Sequence, residues 1–181
     1  MPGRVLVAYA TKHGSTREVA DAVAETVHEH GFEVETRPAA RVGDLSTYGG
    51  VVVGGAIYMG RWHPDAVAFL ERHRDALGAI PVAVFGIGPR TMEEQDAAAS
   101  RAQLAKALAR VPEVEASAVA IFGGVIEPHG LRFPFNRMPA SDARDWSAIR
   151  AWAADVAGTF ECGKAASKAR DHRSALQQTP R

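Results

Sequence analysis

The turn Thr11-Lys12-His13-Gly14-Ser15-Thr16 ("TKHGST") gathers three hydroxyls, a glycine and a lysine where an apolar run meets a helical pattern. Those residue types suit an oxyanion. The first N–H groups of a helix have no intrahelical acceptor and lie at the positive end of its dipole, so they bind a phosphate without needing arginine. Gly14 lets the backbone close around the anion, and Thr11, Ser15 and Thr16 add hydroxyl donors. A capped turn that holds nothing has a similar composition, and from this turn alone the two readings stand level.

Rival phosphate motifs fail on spacing. A Walker loop needs a lysine and a hydroxyl after its second glycine, and "ATKHGSTR" has one glycine. A dinucleotide fingerprint needs three spaced glycines, and "GIGPR" (Gly86–Arg90) offers two before a proline. A phospho-acceptor receiver would place acidic residues after the first strand and an aspartate after the third, and neither is present.

What must position the turn is a layered sheet. Runs rich in valine or isoleucine recur at "RVLVAYA", "FEVETR", "YGGVVVGGAI", "PVAVFGIG" and "ASAVAIFGG", each closed by glycine, proline or polar residues. Helical faces lie between most of them: Val19, Ala20, Val23, Ala24 and Val27; Ala66, Phe69, Leu70, His73 and Leu77; an alanine-rich stretch over 97–110; and Trp146, Ile149, Trp152, Ala153 and Val156. Strands one, three, four and five are near-continuous apolar runs, as strands covered on both faces must be. The pattern predicts an α/β fold: a three-layer, doubly wound, five-stranded parallel sheet. In such a sheet ligands collect at the carboxyl ends of the strands, where "TKHGST" sits.

Bulk properties narrow the rest. With 181 residues, 46% of them hydrophobic, the chain suits one full core, over 1–161. Residues 162–181 hold five basic residues against Asp171 and are read as a basic, flexible tail. Lysine plus arginine equals aspartate plus glutamate at 21 each, so no overall field marks a nucleic-acid binder, and a membrane contact has no charge to support it. Cys162, the single cysteine, excludes an internal disulfide and suits a reducing, cytoplasmic address. No residue cluster suggests a metal.

The spacing from Thr11 to Gly14 to Thr16 resembles the phosphate loop of the flavodoxins, which holds the phosphate of FMN. "TKHGSTREVADAVAETVHEHG", "VVVGGAIYMGRWHPDAVAFLERH" and "DWSAIRAWAADVA" are similar in order and spacing to the menaquinone-dependent protoporphyrinogen oxidase branch of flavodoxin-like proteins. The resemblance implies the strand order 2-1-3-4-5 and a bound FMN. It places the phosphate on Thr11, Lys12, His13, Gly14, Ser15 and Thr16, with Lys12 and His13 departing from the usual loop. The flavin ring would meet Gly55, Ala56, Ile57, Tyr58, Met59, Gly60 and Trp62, with Tyr58 and Trp62 as candidate stacking rings, and would be bordered by Gly86, Ile87 and Gly88.

No side chain in these segments stands out as acid, base or nucleophile, so the chemistry would be the flavin's. After the fifth strand, "GGVIEPHGLRFPFNRMPA" is long for a connector. Phe133 and Phe135 are expected to floor a planar quinone or tetrapyrrole site, and Arg132 and Arg137 to meet carboxylates. The oxidase branch has a longer basic and apolar insertion where this chain runs from Met138 to Trp146, which argues against membrane docking. The expected function is an FMN-dependent oxidoreductase passing electrons to a quinone-like acceptor. The alternatives are a one-electron shuttle between protein partners and a non-redox interaction module on the same fold.

Overall fold

The computed structural model of the chain describes residues 3–88, 92–130 and 132–176. In chain order the elements are β1 (Arg4–Ala10), α1 (Ser15–Glu29), β2 (Glu33–Pro38), β3 (Gly50–Tyr58), β4 (Arg61–Trp62), α2 (Pro64–Leu77), β5 (Val82–Ile87), α3 (Glu94–Leu108), β6 (Ala116–Phe122), β7 (Val125–Ile126), β8 (Ser141–Asp142) and α4 (Trp146–Leu176). The five long strands form one parallel sheet in the order β2-β1-β3-β5-β6, which is the order 2-1-3-4-5 when long strands alone are counted. The link from β2 to β3 holds a single 3-10 turn at Ala39–Arg41, as its shortness requires.

Successive residues of a strand point to opposite faces, and here the alternation sorts the core into two layers. Leu6, Ala8, Val51, Val53, Val82 and Val84 pack on α2 and α3, through Ala66, Phe69, Leu70, Leu77 and Leu104. Val5, Val7, Val52, Ala83 and Phe85 pack on α1 and α4, through Val19, Val23, Val27, Ile149, Val156 and Phe160. Parallel neighbours cannot be joined by hairpins, and the crossovers through α1, α2 and α3 each bring a helix start to the carboxyl edge.

Three short strands escape the sequence pattern. β4 folds back antiparallel on the end of β3, and β7 pairs antiparallel with β8 beyond β6. A further difference concerns the expected tail. α4 does not stop at Glu161 but continues to Leu176, through "GKAASKARDHRSAL", a run of strong helix formers with no proline to end it. Residues 177–181 lie outside the described residues. Among the described residues no helix is long and apolar enough to cross a membrane.

Candidate functional site

Between β1 and α1 the chain turns through Gly14, whose φ of 93° is a conformation that a residue with a Cβ rarely adopts. Nothing lies within 4 Å of where that Cβ would stand, so the backbone angle, and not crowding, is what asks for glycine here. The Gly14 N–H donates to Thr11 Oγ1 at 2.9 Å, and Gly14 O accepts the first helical bonds from the N–H groups of Arg17 (3.0 Å) and Glu18 (3.3 Å). No side chain caps α1. The N–H groups of Ser15 and Thr16 precede the first intrahelical bond and have no helical acceptor. Thr16 is fully buried, and its Oγ1 has no hydrogen-bond partner. A buried hydroxyl without a partner is uncommon because desolvating it costs about 1–3 kcal/mol, and this one stands in the first turn of α1 beside N–H groups with no helical acceptor, a donor set suited to an oxyanion.

The second wall is a hairpin. β3 and β4 are joined by Met59 and Gly60, at φ 50° and 70°, so a two-residue turn with both angles positive pairs Ile57 with Trp62 and Tyr58 with Arg61. Met59 therefore occupies a left-handed conformation at the tip, 75% exposed. Trp62 returns beneath the strand, 3% exposed, with its indole N–H donating to Gly55 O at 3.1 Å. A Cβ on Gly55 would lie 2.6 Å from Trp62 Nε1, so the glycine is the seat for the ring. Trp62 is the more buried of the two candidate stacking rings, and Tyr58, 48% exposed with Lys12 Nζ 4.9 Å from its centroid, is the more open one.

A cavity of about 600 Å³ opens between these walls, a size suited to a cofactor or small ligand. Thr11, Lys12, His13 and Ser15 line it from the turn, Ala56, Ile57, Tyr58, Met59 and Trp62 from the hairpin, and Ile87 and Gly88 from the end of β5. Gly14 and Thr16 belong to the turn that lines it, and Gly55, Gly60 and Gly86 to the strand ends and hairpin that do. Gly86 is packed between Ile57 and Ile121, and Gly60 faces Gln103.

Sequence reasoning missed five lining residues: Arg61, His63, Pro64, Gly124 and Val125. His63 caps α2, its Nδ1 accepting from the Asp65 N–H at 3.2 Å. The sequence signal for it was available, since His-Pro-Asp before an apolar helical face marks a helix start. The charged groups lining the cavity are Lys12 and Arg61, with no carboxylate among them, although the chain as a whole is neutral.

The segment after β6 is placed otherwise than expected. Arg132, Phe133 and Arg137 do not line the cavity; Phe133 is 69% exposed, with the Arg137 guanidinium 5.3 Å from its ring centroid. The side chain of Phe135 lies outside the described residues. Gly124 and Val125 reach the cavity instead, held by a clamp at the far strand of their hairpin. Arg144 bonds Asp142 through Nε (2.9 Å) and Nη2 (2.7 Å), bonds Glu18 of α1 through Nη1, and stands 4.8 Å from the Trp146 centroid. The Arg144 hydrogen bonds hold the Asp142 carboxyl below the usual carboxylate range, and the two carboxylates push the guanidinium further up. Among the described residues no cluster of histidine, cysteine and carboxylates could hold a metal.

An open parallel sheet in this order, with its cavity at the carboxyl edge beside the first βα turn, is the architecture of flavodoxin-like proteins. Residues 6–138 match the flavodoxin domain family, and the chain belongs to it. Among solved structures it is similar to a flavodoxin from the domain Archaea (TM-score 0.59, 12% identity, 87% of this chain and 99% of that one). It also resembles the flavodoxin of Pseudomonas aeruginosa, solved as a cysteine-to-alanine mutant (TM-score 0.58, 18% identity, 87% and 99%). A third likeness is to rubredoxin oxygen:oxidoreductase from Desulfovibrio gigas (TM-score 0.59, 16% identity, 91% of this chain and 38% of that one). In sequence it is 27% identical over 86 residues to protoporphyrinogen IX dehydrogenase [quinone] of Escherichia coli K12, covering 46% of this chain. The match spans about half (48%) of that relative.

Proposed function

We propose that the chain binds FMN in this cavity and is an FMN-dependent oxidoreductase that passes electrons from a reduced substrate to a quinone-like acceptor. The observation that carries the reading is the buried, unpartnered Thr16 hydroxyl in the first turn of α1, beside helix N–H groups without acceptors and the Thr11–Gly14 turn. The residues fit the group: the phosphate is taken by that turn, and the ring by the space between Tyr58 and Ile87–Gly88. FMN, when bound, supplies the one- or two-electron chemistry. Thr16 would donate a hydrogen bond to the phosphate and the N-terminus of α1 would offset its charge, while Gly55 and Trp62 fix the hairpin backbone and Lys12 and Arg61 add positive charge to the cavity wall. The 27% identity to a quinone-linked dehydrogenase supports the acceptor class.

Purified protein is expected to be yellow, or to take up added FMN with quenching of flavin fluorescence. The loaded protein should reduce a soluble naphthoquinone when given a reduced substrate such as protoporphyrinogen. Well-loaded protein that moves no electrons to a quinone would sink the oxidoreductase reading. The exposure of Tyr58 and Met59 at the cavity mouth favours a second reading, electron transfer to a protein partner. A reductive titration in two separated one-electron steps supports that shuttle, and a single two-electron step supports the oxidoreductase. A colourless protein that takes up no FMN would leave the non-redox interaction module.

A further inference from the structure

His63 is a protic side chain held firmly on the cavity wall. It follows Trp62, pinned under the strand by its bond to Gly55 O, and precedes Pro64, which confines its backbone to the extended region. Its φ and ψ are −53° and 129°. Its ring is 17% exposed, with Nδ1 3.2 Å from the Asp65 N–H and 3.9 Å from Asp65 Oδ2. A main-chain N–H only donates, so Nδ1 must carry the lone pair, and the ring proton of the neutral imidazole is on Nε2. Most other protic lining groups are engaged or loose: Thr11 Oγ1 accepts from Gly14, the Trp62 indole donates to Gly55 O, Lys12 rests on Tyr58, and His13, Tyr58 and Arg61 are exposed, which leaves Ser15 at the phosphate turn.

We propose that His63 offers its Nε2–H as a fixed hydrogen-bond donor to a ring carbonyl of the planar ligand in the cavity. This rests on the flavin reading above. The carbonyl belongs either to the FMN ring or to the quinone-like acceptor. In both cases its oxygen gains negative charge as the ring gains electrons, and a hydrogen bond to a charged oxygen is about twice as strong as one to a neutral oxygen. The donor thus favours the reduced ligand over the oxidised one and needs no movement to do so. The hydrogen bond alone suffices for this role, which requires no proton transfer. An imidazole at a helix N-terminus polarising a carbonyl while neutral is a known arrangement in enzymes.

Nitrogen-15 NMR of the wild-type protein should show His63 with Nε2 protonated and Nδ1 bare, and a protonated Nδ1 in the neutral ring overturns the proposal whatever the variants do. His63→Asn keeps an oxygen to cap the Asp65 N–H and withdraws the Nε2 donor, so its melting temperature should stay close to that of wild type. If the carbonyl is the flavin's, the variant binds reduced FMN about tenfold more weakly relative to oxidised FMN, a fall of about 30 mV in the two-electron midpoint. If it is the acceptor's, that midpoint is unchanged and kcat/KM falls at least tenfold with a soluble naphthoquinone but not with ferricyanide. His63→Gln, whose longer amide again offers an N–H, should recover part of either loss. A variant unchanged in both arms refutes the donor role while leaving the flavin reading intact. Wild-type protein that takes up no FMN refutes both, before any variant is compared.

Discussion

The polar residues beside β2 and those at the carboxyl end of β1 follow opposite rules. At the first, Glu35 accepts from Arg4 Nη2 (2.8 Å), from Tyr48 Oη (2.6 Å) and from Arg37, while Arg4 Nε stands 3.2 Å from Glu33 and its guanidinium covers the Tyr48 ring at 5.1 Å. The Glu35 carboxylate there takes three donors from within the protein, although Arg4 Nε, buried 3.2 Å from Glu33, makes no hydrogen bond. At the second, Thr16 Oγ1 is buried with no partner at all, Gly14 caps α1 without a side chain, and Lys12 has only an aromatic face. A satisfied carboxylate goes with a structural role, and a fully buried hydroxyl beside unpaired helix N–H groups is what a ligand-holding turn would leave.

The sharpest way to break this contrast is Thr16→Val. Removing the hydroxyl should weaken FMN binding by about 1.5–3 kcal/mol, roughly tenfold to a hundredfold, as measured by fluorescence quenching. The melting temperature of the apoprotein should be unchanged or raised, because an orphaned buried oxygen is removed; an equal loss in stability would make the hydroxyl structural. Tyr48→Phe is the mirror experiment. It should cost about 1 kcal/mol in urea unfolding with FMN affinity untouched.

Acid should act on the same cluster. The Tyr48 hydroxyl first, then Arg37 with Arg4, hold the Glu35 carboxyl below its ordinary range. Its contribution to stability is therefore present above the unfolded carboxylate pKa and is lost as pH falls through the lower, folded value. Glu35→Gln should flatten the fall in urea midpoint between pH 5 and the acid limit, and a slope identical to wild type would remove Glu35 from the account. The smallest effect belongs to the hairpin tip. Met59→Gly, with φ already positive, should raise stability by a few tenths to about 1 kcal/mol in urea unfolding without altering the cavity's charge.

How much of this was legible depends on whether a residue's job is set by local pattern or by a return of the chain. Val19, Val23 and Val27, or Phe69 and Leu70, announce buried helix faces by spacing alone, and the long apolar strands announce a sheet covered on both sides. The turn at Gly14 was readable for the same reason. β4, β7 and β8 have two residues each, too few for any period to show.

Without β4, the place of Trp62 was invisible. The Met59-Gly60 reversal lacks the usual Asn-Gly signal, so nothing in the string shows that the indole comes back to fill the space left by Gly55. Arg61 and His63 reach the cavity by the same reversal. Phe133 read as a floor because it is large and apolar, yet it is 69% exposed beneath the Arg137 guanidinium, and size and polarity alone do not say which way a loop side chain turns. The run of α4 past Glu161 was not legible because composition signals solubility and helix propensity alike: lysine, arginine and alanine serve both.

The bond from Arg144 to Glu18 joins residues 126 positions apart, and no nearer part of the chain can substitute for it. A contact of that sequence separation carries a high loop-closure cost, so the clamp is expected to form late in folding. The cavity wall at Gly124 and Val125 is completed when the rest of the molecule is built, so flavin uptake would report on the finished protein and not on its collapsed precursors. Arg144→Met is expected to speed unfolding and leave the refolding rate unchanged in stopped-flow kinetics; slower refolding would place the clamp in the nucleus instead.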